Sequence, residues 1–151
     1  MESANFMFYD CKSLISLDLS KFNTENLKYM GYMFYGCNLL KSINLSNFET
    51  PYVKNMIGLF QNCNSLISLD LSNFNTKNVT NMNDLFYGCK SLISLDISNF
   101  NTEKVINMAN MLYDCISLNS LNLSNFKTQN VTNMRIMFGK IISIKFIQFL
   151  Y

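Results

Sequence analysis

Five cysteines stand at Cys11, Cys37, Cys63, Cys89 and Cys115, every gap between them the same. The same step carries Thr24, Thr50, Thr76, Thr102 and Thr128, and also Phe22, Phe48, Phe74, Phe100 and Phe126. A third column holds Phe8, Phe34, Phe60, Phe86, Leu112 and Phe138. A fixed period of this size marks a solenoid, in which each unit buries its apolar face only by stacking on its neighbours. The repeated letters therefore read as frame, and any chemistry must come from what projects off it.

One repeat, from Asn81 to Val105, illustrates the reading. Leu92, Leu95 and Ile97 have the L-x-x-L-x-L spacing of a leucine-rich repeat, as do Leu14, Leu17, Leu19 and Leu66, Leu69, Leu71. Leu95 and Ile97 alternate with Ser94, Asp96 and Ser98, which predicts a strand with its aliphatics inward and its polar row outward. Met82, Leu85, Phe86 and Cys89 fall at i, i+3, i+4 and i+7, the apolar face of a short helix. Asn81 reads as its N-cap, with Asp84 completing a capping box. The column Asp10, Gly36, Asn62, Gly88, Asp114 holds the residue types that tolerate a left-handed helix stop. The expected architecture is an α/β solenoid: a right-handed leucine-rich-repeat coil of 26-residue turns, with a parallel sheet on one face and short helices on the other. Phe100 marks the corner after the strand.

Composition narrows the function classes. The net charge of +2 comes from 12 basic and 10 acidic residues scattered along the chain, so no field strong enough to recruit nucleic acid is expected. Histidine is absent, which removes the commonest general base and metal ligand. Serines abound, but a serine nucleophile needs a base, and the five isolated glycines form no phosphate loop. No catalytic residue, metal site or cofactor is expected. Glu2 and the early onset of the repeat leave no secretory signal, and the apolar tail is too short to span a membrane.

Among candidate sites, the cysteines are too far apart in sequence for a CxxC metal pair. Parallel inward thiols also point alongside one another instead of converging, so they read as buried small hydrophobes rather than disulfides. The outward strand row is the candidate partner-binding face: Ser16, Asp18, Asn44, Ser68, Asp70, Ser94, Asp96 and Asn122. Asp70 and Asp96 are expected close enough to repel, raising one pKa or inviting a cation. The plainer reading is that this row only keeps the face wet. Ile15, Ile67 and Ile93 would form an apolar rim beside it, or simply pack at the edge. Tyr9, Tyr35, Tyr87 and Tyr113 follow the inward Phe column on the outer side and suit either an interface or a plain outer surface. Sequons begin at Asn44, Asn78, Asn122 and Asn130, and matter only for an exported chain.

The L-x-x-L-x-L frame joined to "MFYGC" and "LSNFNT" with "NVTNM" resembles the BspA-like leucine-rich repeats. More narrowly it is similar to the repeat domain of unknown function first described in mycoplasma surface proteins, across Met7 to Phe138. The resemblance implies a solenoid for display and binding, at a cell surface or in a secreted protein. It implies no catalytic residues. The expected partner is a protein or a cell-surface glycan, together with further repeats of the same chain.

The expected organisation is an N-terminal stub over 1–6, five repeats over 7–138, and a degenerate sixth repeat or non-native tail over 139–151. Ile144, Ile147 and Phe149 lie one full repeat beyond Leu118, Leu121 and Leu123, so the tail could supply a sixth strand with Phe146 exposed. The ends lack obvious caps, which suggests a fragment of a longer array. The sequence thus favours a non-catalytic interaction or adhesion module. A structural spacer or intracellular scaffold with no ligand of its own is the alternative.

Overall fold

Alternating apolar and polar residues build the strands, and each strand is three residues long. The structure is a computed structural model that describes residues 1–148. Its strands are β1 (Ser16–Asp18), β2 (Ser42–Asn44), β3 (Ser94–Asp96), β4 (Ser120–Asn122) and β5 (Phe146–Gln148). Those that pair do so in parallel with the equivalent segment of the next repeat, matching Leu17 to Ile43, Leu95 to Leu121 and Leu121 to Ile147. The chain therefore returns beside itself once per repeat. The side-chain expectations for Phe146 and Ile147, and everything expected of Phe149, lie outside the described residues.

The sheet is not continuous. β1–β2 form one sheet and β3–β4–β5 another. The intervening segment at Ser68–Asp70 has no strand pairing, although Ile93 N–H still reaches the Ile67 carbonyl at 3.2 Å. This corrects the expectation of one unbroken sheet. The break adjoins the one place where the outward column sets two carboxylates, Asp70 and Asp96, side by side.

A second ladder holds the stack together where the first lapses. Single parallel bridges link Ser3, Tyr29, Asn55, Asn81, Asn107 and Asn133 in succession. Residues of the expected stub take part, since Ala4 N–H bonds the Tyr29 carbonyl at 2.8 Å and Ala4 is buried.

The expected helix does not form, and among the described residues there is none. From Met82 to Cys89 the backbone splits its donors between two directions. Met82, Asp84, Phe86 and Gly88 donate to Asn107, Ala109, Met111 and Tyr113 of the next repeat, at 2.8–3.0 Å. Leu85, Tyr87 and Cys89 donate three residues back within their own turn. Positive φ at Asp84 (56°) and Gly88 (73°) reverses the path every fourth residue, which a right-handed helix cannot tolerate. Asp84 makes no capping box; its carboxylate accepts from the Asn83 and Asn110 side-chain amides instead. The apolar spacing nevertheless named the buried side chains correctly, because Met82, Leu85, Phe86 and Cys89 are all in the core.

That core is a set of columns. Phe8, Phe34, Phe60 and Phe86 stack with centroids 5.6, 5.3 and 5.9 Å apart. Phe22, Phe48 and Phe74 stack at 6.0 and 5.8 Å. Cys37, Cys63, Cys89 and Cys115 are buried, and their thiols donate to the carbonyls of Phe8, Phe34, Phe60 and Phe86 in turn. Cys11, at the end of its column, is only half-buried. Desolvation, with the neighbouring Cys11 thiol adding to it, pushes Cys37 up to about 11, while desolvation takes Cys115 to about 12.

Candidate functional site

The outward strand row lies where its alternation placed it. Ser16 pairs with Ser42 and Asp18 with Asn44; Ser94 pairs with Ser120 and Asp96 with Asn122. All but Asn122, which is half-buried, are exposed among the eight candidates, and Ser68 and Asp70 sit in the unpaired segment. A cleft of ≈ 220 Å³ runs between Asp70 and Asp96, lined also by Leu69, Leu71 and Ser98.

Each acidic or amide side chain of the row already has a local task. Asp18, Asn44, Asp70, Asp96 and Asn122 each accept, through Oδ1, the backbone N–H two residues on, at 2.8–3.1 Å. Such a bond turns the chain out of the strand. It also holds the Asp70 and Asp96 carboxyls below the usual carboxylate range, chiefly through the Ser72 and Ser98 N–H groups. The expected rise from mutual repulsion is thereby overturned. Hydrogen bonds to the charged form favour it, and neither carboxyl is raised by the other. Among the described residues no three His, Cys, Asp or Glu side chains converge as metal ligands would.

Beside the row, Ile15, Ile67 and Ile93 are 57%, 49% and 47% exposed, so they form a rim and are not packed away. The Tyr column forms two stacked pairs, Tyr9–Tyr35 at 4.6 Å and Tyr87–Tyr113 at 5.0 Å, separated by Gln61. Of the sequons, Asn44 and Asn130 are exposed while Asn78 and Asn122 are half-buried.

Two features escaped sequence reasoning. One is a cleft of ≈ 510 Å³ at the corner after the strands, between Ser98–Asn101 and Ser124–Lys127. There the Asn47, Asn73, Asn99 and Asn125 side-chain amides donate back to Ser20, Ser46, Ser72 and Ser98 carbonyls. The period itself could have flagged this asparagine column. The second is a notch of ≈ 330 Å³ lined by Phe6, Tyr9, Tyr32, Tyr35, Gln61 and Asp84. Its walls come from successive turns and from different columns, so no single motif announced it.

No helix among the described residues is long and apolar enough to cross a membrane. A family model described as Mycoplasma protein of unknown function, DUF285, matches residues 1–69 and again 58–147. No curated protein and no solved structure matches the chain.

Proposed function

The chain belongs to this mycoplasma-type repeat family of unknown function, and from that premise we propose a non-catalytic interaction module whose strand face binds a partner. In this reading the stack is a right-handed leucine-rich-repeat solenoid of the BspA-like kind, displayed at a cell surface or secreted. The partner is a protein or a cell-surface glycan. The supporting observation is the cleft between Asp70 and Asp96, two exposed carboxylates that no basic side chain pairs with among the described residues. Serine and isoleucine continue that face along the stack.

The test is binding of the intact chain to cell surfaces and to arrayed glycans, with Asp70→Lys and Asp96→Lys as variants. Loss of binding with an unchanged melting midpoint supports the strand face. Undiminished binding by both variants would place the contact elsewhere.

One observation favours a spacer instead: every Asp and Asn of the row already closes a turn. A stalk needs only that stiffness. Deleting one whole repeat separates the two readings, because a spacer responds to length and a binding face responds to local charge.

A further inference from the structure

The second Tyr pair shows what the first one lacks. In the pair Tyr87–Tyr113, the next member of the column is Gly139, so no ring covers the far face of Tyr113. The chain fills that place itself: the Lys140 ammonium sits 5.1 Å from the Tyr113 ring centroid. A cation over a tyrosine face is attracted by the ring quadrupole, within a reach of roughly 6 Å.

In the pair Tyr9–Tyr35 the next member of the column is Gln61, so no further ring stacks on Tyr35, which Tyr32 meets only in a T-shaped contact at 6.0 Å. Here the residue standing where Lys140 stands is Asn62, which carries no charge. The notch on this side is lined by Phe6, Tyr9, Tyr32, Tyr35, Gln61 and Asp84, and its floor adjoins the buried Gly58. A Cβ at Gly58 would lie 2.4 Å from the Tyr32 ring and 2.8 Å from Gln61 Oε1, so both side chains lean across the bare backbone. Tyr32 is backed on its other side by Phe6, stacked at 5.4 Å. Beyond Gly58 in the same column comes Asp84, a half-buried carboxylate. Its oxygens accept only from the neutral Asn83 and Asn110 amides, and no basic side chain pairs with it among the described residues.

We propose that this notch, lined by Tyr35, Gln61 and Asp84, binds an organic cation: the ammonium or guanidinium head of a lysine- or arginine-like ligand. Tyr35 offers the open ring face and Asp84 the counter-charge. Gln61 offers an amide to orient a polar head. The partly desolvated carboxylate favours a cation over a neutral guest, because the guest's charge replaces lost hydration. The site lies on the turn segments, so it stands whether or not the strand face binds anything.

The experiment is a titration of the intact, isotope-labelled chain with N-acetyl-lysine N-methylamide, followed through the backbone amides of Gly58, Gln61 and Asp84. Saturable shifts at those residues are expected, with the uncharged norleucine analogue producing none. Asp84→Asn keeps a residue that tolerates the left-handed backbone, as Asn110 does in the same column. It should weaken binding by about tenfold or more. Gln61→Tyr continues the repeat's own Tyr column and should abolish binding by covering Tyr35, while leaving the melt intact. A lysine-bearing peptide binding more tightly than n-butylammonium points to a protein partner, and the reverse order points to a small free amine; either supports the site. Equal binding of lysine and norleucine analogues, saturable shifts with a neutral oligosaccharide instead, or unchanged affinity in both variants would overturn it.

Discussion

Thr76 holds Asn101 of the next repeat by both of its backbone groups: its Oγ1 accepts the Asn101 N–H at 2.8 Å and donates to the Asn101 carbonyl at 3.0 Å. Thr50 does the same for Asn75, and Thr102 for Lys127. A buried hydroxyl here substitutes for one rung of a backbone ladder at a corner where the chain cannot pair with itself. Each contact of this kind joins one repeat to the next, so the stack is held by polar columns as well as apolar ones.

Replacing Thr76 with Val keeps the shape and removes the rung. The Asn101 N–H and carbonyl then lose their partner in a part-buried contact, in which Thr76 itself is 1% exposed. The expected loss is roughly 1–3 kcal/mol by denaturant titration. Thr76→Ser, which keeps the hydroxyl, should recover most of it. An equal loss in the two variants would mean that the methyl group, and not the hydroxyl, carries the column.

The thiols predict a pH dependence. An unfolded cysteine loses its proton near about pH 8.5, whereas burial holds folded Cys37 at about 11 and Cys115 at about 12. Above the unfolded value the folded state therefore binds more protons, so stability is intact at neutral pH and falls as pH rises through this window. The melting midpoint should decline from roughly pH 9 upward, following the unfolded-state titration, and replacing the buried thiols with Ala should flatten the decline. Native-state alkylation near neutral pH should modify Cys11 first, since it alone of the five is not fully buried. Equal labelling of all five in the native chain would contradict the inward column.

Phe86 and Phe126 occupy inward columns but differ in how well they are covered. Phe86 is fully buried and stacks parallel to Phe60 at 5.9 Å, whereas Phe126 is half-buried near the end of its column. Phe86→Ala should cost roughly 3–5 kcal/mol. Phe126→Ala should cost clearly less, because part of its surface already faces water. Thermal melts of the two variants check the ordering, and equal losses would show that stacking position does not set the cost.

Particular residues show how far the sequence could be read. The Cys, Phe and Thr columns announced which side chains face inward, since a strict period leaves one consistent way to stack them. Asn81 was read as a helix N-cap; no helix follows it, and its Oδ1 accepts the Asn83 N–H at 2.9 Å in a turn instead. The backbone path beyond Asn81 was not legible. A spacing of i, i+3, i+4, i+7 arises in a helix, but also in successive turns whose backbone reverses at Asp84 and Gly88. The choice was made by donors such as Phe86 N–H, which bond the next repeat and so leave no helical ladder to form. The left-handed column at Asp10, Gly36, Asn62, Gly88 and Asp114 was legible too, though as a helix stop. Its companion at Phe6, Tyr32, Asp84, Asn110 and Ile136 was not, because Phe, Tyr and Ile seldom adopt that conformation.

The amino-acid sequence alone determined the repeat length, the inward columns, the parallel return of each strand and the polar row that faces outward. These come from periodicity, because identical apolar residues at a constant step are buried together only by stacking. Tertiary structure decided the rest: the turns in place of helices, the break at Ser68–Asp70, and the notch between Tyr35 and Asp84. Those features depend on which side chains the adjoining repeats bring alongside. A carboxylate's surroundings and a ring's open face are set by neighbours from other turns of the stack, which no reading of a single turn contains.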